Sequence, residues 1–154
     1  MLMPPNPLVS RQNTPSAVLL IRSGRIATAM LEGKLAELRL TVPYAAILTA
    51  LLEHGPKSAT DLCVLTMRER ANMSVLLAKL RKIQYVSEAP NPLDARSHLV
   101  SLTESGKQMA EKCLHVTEEV SQVIDNFLHE QGDSTEPIRH ALSAFLSKFH
   151  SLYV

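Results

Sequence analysis

The sequence predicts a mainly α-helical chain that contains one small β-hairpin, and three observations favour this fold class. Apolar residues recur at helical spacing over most of the 154 residues. Helix-start and helix-stop residues divide these patterns into separate segments. The stretch from 85 to 103 departs from helical spacing and carries two prolines, Pro90 and Pro92. With 45% hydrophobic and 20% charged residues, the chain is able to bury a core.

Composition argues against several classes of protein. The most apolar early stretch, residues 17–21, ends at Arg22 and is far shorter than the roughly 20 residues that cross a bilayer. Residues 1–15 lack a basic n-region and contain four prolines, so we interpret them as a flexible arm and not as a secretory signal. Two cysteines fifty positions apart, Cys63 and Cys113, fit neither a metal pattern nor a disulfide framework. We therefore expect a cytoplasmic protein with no membrane segment.

Charge is unevenly distributed although the net charge is only +1. Residues 1–103 contain 12 Lys/Arg against 7 Asp/Glu, whereas residues 104–154 contain 4 against 8. This asymmetry favours a basic face for a polyanion in the first part and acidic, solvated helices in the second. Charge alone is weak support, since many such faces bind nothing.

The first four helices are predicted from apolar stripes and caps. A first helix is expected over 16–40, weakened by two internal glycines, and a second from Thr41 to about Glu53. Residues 58–61 form a capping box for a short helix to about Leu65. Residues 66–69 fit a second capping box, which opens a fourth helix. The apolar stripe of this fourth helix consists of Met73, Leu76, Leu77, Leu80 and Ile83.

Beyond the fourth helix, the pattern predicts a hairpin and two more helices. Two short extended runs, at 85–86 and 99–102, flank a proline-bearing loop. A long helix is expected from Thr103 to about 130, and a last one after Pro137. Their apolar seams repeat at intervals of three and four residues, which suits packing against another helix. These seams exceed what a small domain can cover, so we expect a homodimer joined through its terminal helices.

The order of these elements is that of a winged helix-turn-helix with N- and C-terminal dimerisation helices. Residues 73–106, MSVLLAKLRKIQYVSEAPNPLDARSHLVSLTESG, also resemble the MarR (multiple antibiotic resistance regulator) family of bacterial transcription factors. The matching features are Leu80, the Tyr85–Val86 pair, the NPLDARS wing and the LTESG start of the long helix. The resemblance implies dimerisation by 16–40 and 104–154 around a DNA-binding lobe at 41–103.

The resemblance also implies which residues contact DNA. Lys57, Ser58 and Thr60 begin the short helix, where exposed N–H groups suit phosphates. In the wing, Arg96 is expected to enter the minor groove, with Asp94 fixing its rotamer. From the recognition helix and its flanks, the expected contacts are Arg70, Asn72, Ser74, Val75, Lys79 and Lys82. Without the wing motif, the basic residues among them are more simply a solvated helix face.

Three positions depart from the family pattern. Val75 replaces a commonly basic base-reading residue, which leaves apolar contact with a thymine methyl. Glu88 brings a negative charge to the first wing strand, where the family often has arginine. Gln84 stands where glycine is usual and is expected to adopt a positive φ.

The sequence also gives expectations for small-molecule, metal and redox sites. The resemblance implies a crevice for an aromatic or phenolic effector, and Met30, Tyr44 and Arg22 are either its lining or ordinary core and surface residues. The six histidines lack metal-ligand spacing, so neither a metal nor a cofactor is expected. We interpret the two cysteines as small buried hydrophobes, with redox sensing left open.

Three hypotheses of function follow, in order of preference. The first is a homodimeric, sequence-specific DNA-binding regulator, a repressor relieved by a small molecule, whose target is an imperfect palindrome. The second is a winged-helix dimer that acts as a protein-interaction module, for which Val75 and Glu88 are the reasons. The third is an enzyme, which no motif supports.

Overall fold

The computed structural model describes residues 14–149, and the first thirteen and last five residues lie outside this description. Most of the predicted N-terminal arm therefore lies outside the described residues, as does Leu152, which the sequence predicted on the apolar stripe of the last helix. In order, the elements are α1 (Ser16–Leu35), a 3-10 turn (Ala36–Leu38), α2 (Val42–His54), β1 (Lys57–Ser58), α3 (Ala59–Thr66), α4 (Arg70–Lys82), β2 (Val86–Asn91), β3 (Asp94–Leu102), α5 (Glu104–Glu130) and α6 (Thr135–Phe149). The prediction of a mainly helical winged helix-turn-helix is confirmed.

The wing is larger than the sequence predicted. Its strands pair antiparallel in the order β1-β3-β2, so the sheet has three strands and not two. The added strand is only Lys57–Ser58, which pairs with Val100 and Leu99. Two residues are too few to show the alternation of apolar and polar residues that predicts a strand. Strand β1 forms because β3 lies beside it and pairs with it. Strand β2 also continues through Pro90, which the prediction placed in the loop.

Several predicted helix ends were wrong. The first helix ends at Leu35, and the chain then tightens into the 3-10 turn before Arg39 reverses it at a φ of 55°. The expected capping box at 66–69 does not form, because Thr66 is the last residue of α3 and its hydroxyl donates to the Leu62 carbonyl at 2.6 Å. Helix α4 begins at Arg70, and Ile83 lies beyond its end with 49% of its surface exposed.

Other local signals are confirmed. Ser58 and Asp61 form the reciprocal capping box at the start of α3. Thr103 caps α5, whose last residue is Glu130. Gln84 has a φ of 60°, as its place in the resemblance implied. Each of these depends on contacts within a few residues or on a matching motif, which the sequence carries directly.

Helix α2 lies at the centre of the core. Ile47 and Leu48 are fully buried there, and α2 packs extensively against α5. The inner face of α4 contributes Met73, Leu77 and Leu80, which are also buried. Burial of this face fixes which side of α4 points outward, because side chains on one helix face recur every three or four residues.

The terminal helices carry a large apolar surface that the rest of the chain leaves exposed. On α5, Cys113 and Val120 are buried but the later seam residues Val123 and Phe127 are exposed. We call this surface the terminal-helix face; its exposed members are Leu19, Leu20, Ile21, Ile26, Val123, Ile124, Phe127, Ile138, Leu142, Phe145, Leu146 and Phe149. Exposed apolar residues in this number, concentrated on three helices, mark an interaction surface.

Gly106 occupies a position where a side chain has no room. A Cβ built there would lie 1.8 Å from the carbonyl oxygen of Tyr85, which accepts the Thr103 N–H at 3.0 Å. We expect Gly106→Ala to destabilise the fold by on the order of 3 kcal/mol, because backbone must move to relieve the clash.

The matched control is Gly24→Ala in α1, where a Cβ would meet nothing within 4 Å. It should raise stability by about 0.5–1 kcal/mol, since alanine favours helix over glycine. Chemical denaturation of both variants checks the prediction, and a Gly106→Ala midpoint equal to that of the wild type would contradict it.

Within the described residues, no single helix is long and apolar enough to cross a membrane. The first helix with its 3-10 turn and α2 reach that length and apolarity only together, as a pair bent by 82°.

Candidate nucleic-acid interface

The outer face of α4 carries all the residues that the sequence assigned to the recognition helix. Arg70, Asn72, Ser74, Val75, Lys79 and Lys82 are all exposed. They alternate with the buried Met73, Leu77 and Leu80, so packing of the inner face presents the polar face to solvent. Val75 is 57% exposed, an apolar residue within an otherwise polar and basic surface.

The start of α3 is held by its own cap. The Ser58 hydroxyl accepts the Asp61 N–H at 3.1 Å, and Asp61 in turn accepts the Ser58 N–H at 3.1 Å and its O–H at 2.7 Å. These groups of Ser58 are therefore already used inside the protein. Thr60 is exposed, and Lys57 is half-buried in the sheet beside β3.

An open concavity of about 240 Å³ brings the predicted residues of three elements together. It joins the start of α3, the first residue of α4 and the wing. Its lining consists of Ser58, Ala59, Thr60, Arg70, Glu88, Arg96, Ser97, His98 and Val100. Arg70 and Arg96, distant in sequence, thus face the same space. A cleft with two guanidinium groups and a helix start in its wall suits a phosphate-bearing partner.

Sequence reasoning missed Ser97 and His98 in this concavity. For His98 the available signal was strand alternation, since residues 96, 98 and 100 share one face of β3, whereas alternation does not predict Ser97 in the lining. Because the predicted second strand began only at Leu99, that alternation could not be applied. The strand in fact begins at Asp94.

The wing turn is stabilised by side-chain to backbone hydrogen bonds. Asp94 Oδ1 accepts the backbone N–H of Arg96 at 3.0 Å, and the Ser97 hydroxyl donates to the Asp94 carbonyl at 3.2 Å. The expectation that Asp94 fixes the Arg96 rotamer stays a prediction, and the bond that the structure describes is to the Arg96 backbone. The bonded Asp94 oxygen holds the backbone of the turn, because the carboxylate reaches the nearby N–H group in an Asx-type turn.

Glu88 is neutralised by a partner that the sequence analysis did not foresee. The Arg81 guanidinium, near the end of α4, donates a short hydrogen bond to the Glu88 carboxylate on β2. This ion pair bridges α4 and the wing. The negative charge at 88 is thus compensated within the protein, and the cation of Arg81 is directed toward the wing strand.

Comparison with known proteins identifies the fold family. The model of the MarR family matches residues 40–97, which include α2, α3, α4 and most of the wing. This part of the chain is therefore similar to the MarR family. Its matched segment contains every side chain that lines the concavity except His98 and Val100.

Three known proteins illustrate the likeness. The HTH-type transcriptional repressor NicR of Pseudomonas putida KT2440 is 28% identical over 117 residues, which are 72% of this chain and 74% of NicR. The S. aureus MepR–DNA complex has a TM-score of 0.77 at 20% identity and covers 89% of this chain and 100% of MepR. NadR in complex with 4-hydroxyphenylacetate has a TM-score of 0.74 at 20% identity, and the match covers 96% of this chain and 99% of NadR.

A second concavity lies beside α5, between this helix and the 3-10 turn. It has a volume of about 540 Å³ and is lined by Leu38, Gln108, Glu111, Lys112, His115 and Val116. Of the residues considered from the sequence, Tyr44 packs against the hydrophobic core, Met30 is half-buried and Arg22 is exposed. Apolar walls with a few polar groups are typical of small-molecule sites.

Among residues 14–149, no three His, Cys, Asp or Glu side chains lie close enough together to hold a metal ion.

An ion pair joins α1 to α5. Glu119 on α5 accepts a hydrogen bond from Lys34 of α1 at 2.6 Å and lies 3.2 Å from His115. The hydrogen bond with Lys34 lowers the pKa of Glu119 and raises that of Lys34. These charges tie α1 to α5.

The two cysteines differ in environment. Cys113 is fully buried, and burial raises the pKa of its thiol to about 11. Cys63 is half-buried, with its pKa raised by burial and partly offset by the neighbouring Arg70 guanidinium. The expectation that both serve as small hydrophobes is supported most clearly at Cys113.

We expect Cys63 to react with a thiol reagent at pH 8 before Cys113 does, because only a solvent-accessible thiolate is nucleophilic. Mass spectrometry after timed alkylation measures both rates, with urea-unfolded protein as the control in which the two thiols react alike. Equal labelling of both cysteines in the native protein would contradict the assignment.

Proposed function

We propose that this chain is a homodimeric, sequence-specific DNA-binding regulator that acts in the bacterial cytoplasm, a repressor relieved by a small molecule. The observation that carries the proposal is the joint surface of α4, the start of α3 and the wing, where Arg70 and Arg96 face one concavity. In this fold the recognition helix enters the major groove while the wing reaches the adjacent backbone or minor groove. NicR, a repressor by name, supports the same direction.

Within this proposal, phosphates are contacted by Lys57, Ser58, Thr60 and Arg70, and the exposed face of α4 reads the major groove. Arg96 enters the minor groove. Ser58 acts there with its capping bonds intact, since its N–H and hydroxyl are already used by Asp61. Val75 supplies an apolar contact for a thymine methyl, where a basic residue would read guanine.

The dimer is supported by the terminal-helix face. A two-fold dimer buries this apolar surface and places two recognition helices side by side. Successive major grooves lie roughly 34–36 Å apart, so the target is an imperfect palindrome with half-sites about one helical turn apart.

The effector is proposed to occupy the concavity beside α5. Leu38 and Val116 offer apolar walls, while Lys112 and His115 offer partners for an acidic group. An aromatic carboxylate fits this chemistry, and NadR is a structural neighbour in complex with 4-hydroxyphenylacetate. The lining comes from the 3-10 turn and α5. A ligand bound there would therefore contact the segment that connects the first dimerisation helix to the DNA-binding lobe and could change its position.

The alternative, a winged-helix dimer that serves as a protein-interaction module, loses one of its two reasons. Glu88 is compensated by Arg81 and does not present an unopposed negative charge. Val75 is the remaining reason.

Titration of duplex DNA over a salt series separates the two functions. A dimer that neutralises several phosphates loses roughly 10³–10⁵ in affinity between 50 and 200 mM salt if it makes six to ten phosphate contacts. Fluorescence anisotropy with a labelled genomic duplex pool measures this slope. Binding that is absent or independent of salt would favour the interaction module.

The Arg81–Glu88 pair predicts a charge-reversal result. Glu88→Arg alone places two guanidinium groups together, and we expect it to shift the wing and lower binding to a specific duplex severalfold despite the added positive charge. The double variant Arg81→Glu, Glu88→Arg restores an opposite-charge pair and should recover binding. Anisotropy titration checks this; if Glu88→Arg binds more tightly than the wild type, the pair does not position the wing.

A further inference from the structure

Leu93 lies at the tip of the wing and is 94% exposed, more than any other large apolar residue described in the chain. Single exposed leucines are common on protein surfaces and need no explanation. Leu93 differs from these in its position, because it lies at the wing tip and Arg96 follows it by three residues in β3. The Pro92–Leu93 pair forms the turn between β2 and β3.

Hydrogen bonds within the wing hold the backbone on which Leu93 lies. Asn91 Oδ1 accepts the Leu93 N–H at 3.0 Å, and Asn91 Nδ2 donates to the Ser97 hydroxyl at 2.9 Å across the turn. Asp94, which follows, accepts the Arg96 N–H. Asn91 and Asp94 are thus bonded within the wing, and the Leu93 side chain extends into solvent beside the exposed Pro92. Preorganisation lowers the entropy that binding must overcome.

We infer that Leu93, backed by Pro92, inserts into the minor groove beside Arg96 and selects base steps that unstack easily. This inference rests on the proposed function, since α4 in the major groove directs the wing toward the neighbouring minor groove. Leucine and proline are among the side chains that wedge between base pairs in minor-groove complexes, whose proteins also use arginine to read the groove. TA and CA/TG steps deform most easily, so these are the steps that Leu93 favours.

A protein partner fits the tip less well than DNA does. A stable protein interface buries about 800 Å² on each partner, which far exceeds one leucine on a narrow turn. Arg96, three residues after Leu93, lines the same concavity as Arg70, so the wing that carries Leu93 also borders a surface suited to an anionic groove. Within the proposed DNA interface, Leu93 is therefore a specificity residue that favours DNA base steps which deform easily.

The test compares wild type, Leu93→Ala and Arg96→Ala, with Ile83→Ala as the control for loss of an exposed apolar side chain elsewhere on the lobe. Duplexes are selected from a random pool by each protein, and affinities for the wild-type consensus are titrated at several salt concentrations. A second duplex carries 2-aminopurine at the step under the wing, whose fluorescence rises when the base unstacks.

We expect the wild type to enrich TA or CA/TG steps at a fixed distance from each half-site, with increased 2-aminopurine fluorescence. Leu93→Ala should lose this preference and the fluorescence increase, and bind about tenfold more weakly. Its salt slope should stay unchanged because no charge is removed, whereas Arg96→Ala should lower the slope by about one. Ile83→Ala should behave as the wild type.

Two outcomes overturn the inference and are distinguishable. If Leu93→Ala selects the same steps with the same affinity as the wild type, Leu93 does not read DNA, and the proposed function is unaffected. If no variant and no wild-type protein enriches any duplex, both the inference and the proposed function fail.

Discussion

Replacing Phe127 and Phe145 together by aspartate is expected to convert the protein from dimer to monomer and to abolish specific duplex binding. In one chain these rings are 59% and 50% exposed on the terminal-helix face. In a two-fold dimer, the four added carboxylates would be forced out of water, at a cost of several kcal/mol each. The half-sites would then be bound one at a time and weakly. Light scattering at micromolar concentration measures the mass.

The control for this change is Ile83→Asp, which adds one carboxylate per chain, half the charge of the double variant, at a similarly exposed apolar residue outside the terminal helices. It should remain dimeric. Far-ultraviolet circular dichroism tells loss of association from loss of fold. A wild-type protein of monomer mass, or a double variant that still dimerises, would contradict the role of this face.

Arg96→Ala is expected to weaken duplex binding by on the order of 1–3 kcal/mol and to make the salt slope shallower by about one. The guanidinium lies in the concavity shared with Arg70, and its loss removes one contact that releases a counterion. Because Asp94 and Ser97 hold the turn through backbone groups, the wing should keep its shape in the variant.

Lys148→Ala provides the matched control, since it removes one positive charge from α6, at the far end of the chain from the wing motif. Equal slopes for wild type and Arg96→Ala would place the wing away from DNA. Equal losses in Arg96→Ala and Lys148→Ala would indicate that net charge, and not wing geometry, governs binding.

Local signals explain which parts of the fold the sequence could predict. Ser58 and Asp61 cap α3 through contacts three residues apart, so the pattern alone identified the helix start. The same reasoning failed at Thr66, because its hydroxyl bonds back to Leu62 at the end of the preceding helix. A Ser or Thr hydroxyl can either cap the helix that follows it or donate to a carbonyl four residues back, and packing decides which of these two bonds forms.

Contacts between elements explain what the sequence could not predict. Arg81 and Glu88 meet only because α4 turns into β2 through Gln84 at positive φ, which brings the helix end onto the wing strand. Strand β1 likewise exists because β3 lies beside Lys57 and Ser58. The recognition-helix residues were placed correctly on the exposed face since helical periodicity determines that face, whereas the shared concavity depends on three separate elements.

Selection of bound duplexes from a random pool is the most direct test of dimeric, sequence-specific DNA recognition. The proposed arrangement predicts enrichment of one imperfect palindrome, with half-sites about one helical turn apart and one dimer bound per duplex. A pool without enrichment after repeated rounds, or a single unsymmetrical half-site bound by a monomer, would contradict the account.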